Sequence, residues 1–167
     1  MNQELEQYRL QAIDWLATHA PAYSGEARKG LSFEQDLALA KAWQAFKADH
    51  GYACITLPRE YGGAGGSELQ KVIFCEEEMR YDLPLVYFSI SVNNPLPIFL
   101  RYAPEAWRKR LGPQTVRGDL IWCQLFSEPS AGSDLASLRL KAERTEGGWK
   151  LNGQKVWTSW AQISDWG

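Results

Sequence analysis

The sequence predicts an α+β fold: an N-terminal all-α helical bundle over residues 1–120, then the start of an antiparallel β-barrel-like domain over residues 121–167, truncated at Gly167. Three observations predict it. Apolar residues recur at helical spacing through the first two-thirds of the chain, punctuated by capping boxes and by prolines placed to open helices. From Leu120 the period falls towards two, and glycine-rich turns separate the apolar runs. The three or four strands so begun leave a sheet edge and a sheet face uncovered.

Taken in order, Leu5, Tyr8, Ala12, Ile13 and Leu16 form one helical stripe that ends before Pro21. Ser32-Phe33-Glu34-Gln35 is a capping box, in which hydroxyl and amide side chains satisfy free amides of a first turn. Leu39, Trp43 and Phe46 continue that helix, and Gly51 stops it. The apolar run from Tyr52 to Leu57 enters an irregular, flexible loop over residues 58–66. Ser67-Glu68-Leu69-Gln70 repeats the capping box and puts Leu69, Val72, Ile73 and Met79 on one face, with Glu76, Glu77 and Glu78 read as solvated. Pro84, Pro95, Pro97 and Pro104 begin short packed helices, the last of which stops at Gly112-Pro113. Ile121 to Phe126 reads as a buried strand. Leu138, Leu140 and Ala142 alternate with Arg139, Lys141 and Glu143, as in a strand with one wet face. Glu146-Gly147-Gly148 turns into Trp149-Lys150-Leu151, and Asn152-Gly153 turns into a further strand at Val156-Trp157.

Composition narrows the function classes. The 167 residues allow one domain with a core plus part of another, and eight tryptophans imply extensive aromatic burial in core or interface. A net charge of -2 offers no general attraction to nucleic acid or anionic membrane, and Arg108-Lys109-Arg110 reads as the solvated end of a helix. Cys54, Cys75 and Cys123 are too scattered for zinc or a disulfide framework and read as reduced, buried thiols. His19 and His50 lack triad or metal spacing and read as surface residues near helix ends. With no signal-peptide pattern and no apolar run of about 20 residues, the expectation is a cytoplasmic chain without a membrane span. Gly62-Gly63-Ala64-Gly65-Gly66 fits neither a dinucleotide fingerprint nor a Walker loop.

Two segments carry the chemistry. Residues 125–136 run Leu-Phe-Ser-Glu-Pro-Ser-Ala-Gly-Ser-Asp-Leu-Ala, an apolar stretch breaking into a loop of hydroxyls, carboxylates and a glycine. Residues 152–159 run Asn-Gly-Gln-Lys-Val-Trp-Thr-Ser. By spacing alone the first can be a connecting loop with an Asx-type turn or a rim that binds a polar ligand. Trp157 can likewise be core or a platform for a ring.

In combination, and with Pro58-Arg59-Glu60-Tyr61-Gly62-Gly63-Ala64-Gly65 upstream, these segments closely resemble the acyl-CoA dehydrogenase family. The resemblance covers essentially the whole chain. It implies that family's N-terminal helical domain over residues 1–120 and part of its middle β-domain over 121–167, with FAD along the latter. It implies that Gln124, Leu125, Phe126 and Ser127 pass along the flavin, with Gly132 and Ser133 in the loop beyond. Ser133 would hold the pantetheine arm of an acyl-CoA, Trp157 would lie against the ring, and Thr158 and Ser159 would sit beside it, Ser159 near the hydride-accepting atom. Such hydroxyls would tune the flavin and hold its accepting atom.

Some positions depart from the family pattern. Gln124 stands where an aromatic is common, Ser replaces Thr at 127 and 159, and Trp160 replaces a frequent Asn. The implied reaction is α,β-dehydrogenation of an acyl-CoA thioester, in fatty acid or steroid degradation, with electron-transfer flavoprotein as acceptor. The family's catalytic glutamate belongs to a C-terminal domain, so no catalytic residue is expected in this chain. An inactive fragment of a homo- or hetero-oligomeric enzyme is therefore the leading expectation. The alternatives are a non-catalytic partner subunit, and acyl-CoA oxidase or flavin monooxygenase chemistry on the same fold.

Overall fold

A computed structural model describes residues 3–167. Six helices form the first part: α1 (Gln3–His19), α2 (Phe33–Asp49), α3 (Glu68–Glu78), α4 (Val86–Asn93), α5 (Pro95–Tyr102) and α6 (Glu105–Arg117). Two strands follow, β1 (Lys141–Thr145) and β2 (Gly148–Asn152). The α+β order expected from the sequence is present, with helices first and an unclosed antiparallel pair after them.

Helix starts follow local chemistry. At α2, the Gln35 amide donates to Ser32 Oγ at 3.3 Å and the Ser32 amide donates to Gln35 Oε1 at 2.8 Å. At α3, Ser67 and Gln70 make the same reciprocal pair at 3.2 and 2.8 Å. Pro95 opens α5, where its missing N–H leaves no bond unmade.

Packing departs from the expected stripes on α3. Ile73, Phe74, Glu77 and Glu78 are buried, while Leu69, Val72 and Met79 are exposed. The acidic run is thus only partly solvated. Arg9 of α1 pairs with Glu76 and Glu77, and Lys47 of α2 pairs with Glu78, so opposite charges from two helices offset the burial of two carboxylates. Ala12, Leu16, Trp43, Ile55 and Phe74 form the core among these helices. Ile13 falls off the α1 stripe and is exposed. Trp15 instead lies 4.6 Å from Tyr52 and 5.5 Å from Phe46; His19, half-buried at the end of α1, and His50, exposed at the end of α2 as expected, border that aromatic cluster.

The glycine-rich loop is closely packed, contrary to its reading as a flexible turn. A Cβ on Gly63 would stand 2.1 Å from the Leu57 carbonyl oxygen, and one on Gly62 would stand 2.8 Å from Pro113 Cα. This contact also explains why α6 runs through Gly112-Pro113 to a left-handed cap at Gly118. Gly112 lies under the Tyr61 carbonyl, so tertiary packing holds the helix across a proline that removes one of its hydrogen bonds. Arg108, expected in solvent, donates to the Leu100 carbonyl at 3.2 Å and lies over the Tyr61 ring. Of the thiols, Cys123 is buried, Cys54 half-buried and Cys75 exposed; none is in a disulfide.

After α6 the backbone differs most from expectation. Residues 121–126 are not a strand: Trp122 makes a single parallel bridge to Trp166. Side chains satisfy the buried amides there, Asp165 accepting from Ile121 N at 2.9 Å and Ser91 from Trp122 N at 3.1 Å. β1 starts at Lys141, so Leu138 and Leu140 precede it, and its predicted alternation has no buried face because all ten strand residues are exposed. The turn at Glu146-Gly147 is as expected, with Gly147 at φ 84° and registers from Lys141↔Asn152 to Thr145↔Gly148. Val156 and Trp157 form no strand, because Trp157 is left-handed at φ 53°.

Candidate functional site

The chain between Gln124 and Glu128 and the chain between Lys155 and Ser159 lie side by side. The Val156 amide donates to the Ser127 carbonyl at 2.9 Å. Lys155 Nζ donates to the Phe126 carbonyl at 2.8 Å and to Glu128 Oε1 at 2.9 Å. Glu128 is buried and also accepts from the Arg139 amide at 2.6 Å and the Leu140 amide at 3.1 Å. Lys155 beside it, then the Arg139 amide, hold its carboxyl below the ordinary carboxylate value. Charge-assisted bonds of this kind tie the two segments together.

Gln124, Phe126, Ser127, Val156, Trp157 and Ser159, with Ile90 of α4, line a cavity of about 190 Å³. An adjoining open cleft of about 800 Å³ is lined by Val86, Ser89 and Ile90 of α4 and by residues 157–160 and Gln162. Six of the sequence-predicted residues therefore meet: Gln124, Phe126 and Ser127 from one segment, Trp157, Thr158 and Ser159 from the other. The hydroxyls of Ser127, Thr158 and Ser159 hold no hydrogen bond among the described residues. Trp157 is 81% exposed. A flat, uncovered indole beside three free hydroxyls and an amide suits a planar, apolar ring edged by carbonyls and nitrogens. The donor set fits a flavin.

Leu125, Gly132 and Ser133 lie elsewhere. Leu125 packs against Gly167. Gly132 and Ser133 sit on an exposed turn after the paired Glu128–Ala131 bridge and line neither cavity. Asp134 of the same turn accepts from the Ser137 hydroxyl.

Several residues that build the site were missed by sequence reasoning. Ile90 and Ser89 come from α4, and only the helix packing brings them opposite Trp157. Trp160 is the clearest case. It is left-handed at φ 63°, a conformation Asn tolerates better than most side chains, and it joins the core of Ala40, Tyr87, Phe88 and Ile121. Its ring lies 5.0 Å from Tyr87 and 6.5 Å from Phe33, so it anchors the Trp157–Ser159 segment to the helical bundle. Tyr87 is itself held, donating to Asp36 at 2.7 Å, and Asp36 pairs with Arg28 at 2.8 Å.

Comparison with known proteins identifies the family. Residues 2–119 match the family model described as "Acyl-CoA dehydrogenase, N-terminal domain". The chain belongs to the acyl-CoA dehydrogenase family. Acyl-CoA dehydrogenase IpdE1 of Mycobacterium tuberculosis is 34% identical over 98% of this chain and 43% of its own length. Isovaleryl-CoA dehydrogenase of Arabidopsis thaliana mitochondria is 35% identical over 87% of this chain and 34% of its own. Among solved structures, the ChsE4-ChsE5 complex of M. tuberculosis superposes with a TM-score of 0.75 at 29% identity, over 99% of this chain and 41% of that one. A glutaryl-CoA dehydrogenase of Mycobacterium smegmatis in complex with FADH2 shares the fold, with a TM-score of 0.68 at 21% identity over 99% of this chain and 41% of that one. The chain thus spans less than half the length of these relatives.

Proposed function

We propose that this chain supplies the flavin-facing part of an FAD-dependent enzyme for α,β-dehydrogenation of an acyl-CoA thioester. The observation that carries the reading is the meeting of Ser127, Trp157, Thr158 and Ser159 around a cavity and its adjoining cleft, with their hydroxyls unspent. Bound FAD would supply the two-electron acceptor for the hydride leaving the substrate β-carbon. Ser127 and Ser159 would donate to the heteroatoms at its rim, Trp157 would cover its face, and Gln124 would offer its amide nearby. Fixed donors cost no reorganisation at the moment of reaction. Val86, Ser89 and Ile90 of α4 would border the acyl group and exclude water. Neither lining contains a carboxylate, so the base for the α-proton comes from outside these walls.

In this reading the domain boundary falls at residue 120, with Ser133 on its exposed turn meeting the pantetheine arm. Electron-transfer flavoprotein would reoxidise the flavin, and the three free thiols support a reducing, cytoplasmic setting. Among the described residues no helix is long and apolar enough to cross a membrane.

The reading is tested by titrating the chain with FAD and following the tryptophan fluorescence that Trp157→Phe removes, together with backbone amide shifts. The expected result is weak, saturable binding that shifts the amides of 126–127 and 157–159, is reduced by Ser127→Ala and Ser159→Ala, and gives no acyl-CoA turnover. Shifts confined to other regions, or none at millimolar FAD, would overturn it. A heteromeric assembly is the second reading, favoured by structural relatives that are themselves two-component: the ChsE4-ChsE5 complex and, at 25% identity, the Tcur3481-Tcur3483 steroid ACAD. Co-elution with a longer acyl-CoA dehydrogenase polypeptide, and flavin retained only in the joint peak, would support it; separate elution would count against it.

A further inference from the structure

A second cavity, of about 350 Å³, lies among α2, α3, α4 and the 52–57 segment. Ile55, Leu57, Phe74, Leu85, Phe88 and Val92 contribute its apolar wall, and Ser89 belongs to both this lining and the cleft before Thr158 and Ser159. The two spaces thus lie against the same turn of α4, and the inner one has the volume for a short apolar chain. The cavity is not uniformly apolar. Lys47 and Glu78 also line it, with exposures of only 6% and 5%.

The hydrogen bonding of that pair is uneven. Glu78 Oε1 lies 2.8 Å from Lys47 Nζ as an ion pair and accepts a hydrogen bond from Trp43 Nε1 at 3.1 Å. The Lys47 ammonium has three N–H donors, and among the described residues Glu78 is its ion-pair partner, with the Trp43 ring 5.8 Å away. Donors left over on a buried charge are costly unless a ligand or water takes them. The nearby thiols supply no anion: burial pushes Cys54 up to about 11, and partial desolvation of its sulfur together with the Glu78 carboxylate raises Cys75. Lys71 adds positive charge at the same wall, its own carboxylate partner Glu68 standing 3.9 Å off.

We propose that Lys47 is a specificity-determining residue, giving this cavity a preference for an acyl group with an apolar body and an oxygen acceptor, ketone or carboxylate, at its far end. The proposal rests on the acyl-CoA reading for the thioester end, but the cavity can be probed without CoA or flavin. Matched probes are 2-octanone and 2-methyl-1-octene, which have the same shape and differ in C=O against C=CH2. Binding is followed through the methyl NMR signals of Ile55, Leu57 and Leu85. The expected result is about tenfold tighter binding of the ketone, a ratio typical of one hydrogen bond to a charged group. Lys47→Met should reverse the order, because the alkene is the more hydrophobic probe. The double variant Lys47→Met/Glu78→Gln, which leaves no lone buried charge, should do the same with an unchanged far-UV circular dichroism spectrum. Equal or tighter binding of the alkene to the unmodified chain, binding of neither probe, or a ketone preference that survives in both variants would overturn the proposal. None of those outcomes bears on FAD binding at Trp157, and failure of FAD to bind leaves the probe ratio to stand alone.

Discussion

Glu128 shows how one residue can decide local geometry without touching a ligand. Its carboxylate joins Lys155 to the Arg139 and Leu140 amides, and Lys155 in turn holds the Phe126 carbonyl. The native carboxyl titrates below the ordinary value of 4.5, first because of Lys155 and then because of the Arg139 amide. The sign follows by linkage: the unfolded chain binds the proton more readily, so this clasp stabilises fully above about pH 4.5 and is lost as pH falls through the native value. The amide shifts of Arg139 and Leu140 should titrate together below pH 4.5. Lys155→Met should raise their midpoint, and Glu128→Gln should remove the transition. An amide titration unchanged in Glu128→Gln would show that another group drives it. The motif was readable as a loop signature, but its partners, eleven to twenty-seven positions away, were not.

At the scale of elements, helix ends follow local rules and helix faces follow neighbours. Both capping boxes form as their four-residue patterns require, since every atom involved lies within one turn. Ser32→Ala and Ser67→Ala should each cost about 1 kcal/mol in urea unfolding with little change in the m-value. A loss below a few tenths would show that the caps are redundant with tertiary contacts. The α3 face could not be read so directly. Its apolar positions Leu69, Val72 and Met79 point outward, while Glu77 and Glu78 turn inward to cations on α1 and α2. Periodicity places residues on faces; which face is covered depends on the helices packed there. The same holds for α6, where the local stop signal at Gly112-Pro113 yields to packing against Tyr61 and Gly62.

For the whole molecule, surface is the telling quantity. The accessible area is 10376 Å², about 2,000 Å² more than a compact monomer of this mass exposes. Much of the apolar excess lies beyond residue 120: Trp149, Leu151 and Trp157 are 65%, 67% and 81% exposed. An isolated two-stranded ribbon is marginal in water. The β1–β2 amides should therefore exchange orders of magnitude faster than those of α1, α2 and α3, and should gain protection when a polypeptide or ligand covers Trp149 and Leu151. Equal protection of ribbon and helices in the chain alone would contradict this.

What the sequence determined by itself is what short-range chemistry controls: the helical first part, both capped starts, the Glu146-Gly147 turn, and, through three ordered motifs, the acyl-CoA dehydrogenase family. Tertiary structure alone decided that residues 121–126 would be held by side chains and by the 165–166 backbone in place of a sheet, that Glu77, Glu78 and Glu128 would be buried, and that Trp160 would take a left-handed backbone to reach Tyr87. The physical reason is range. Caps and turns close within a few residues, whereas a buried charge, a strained aromatic or a missing strand partner depends on groups that only the packed chain brings near.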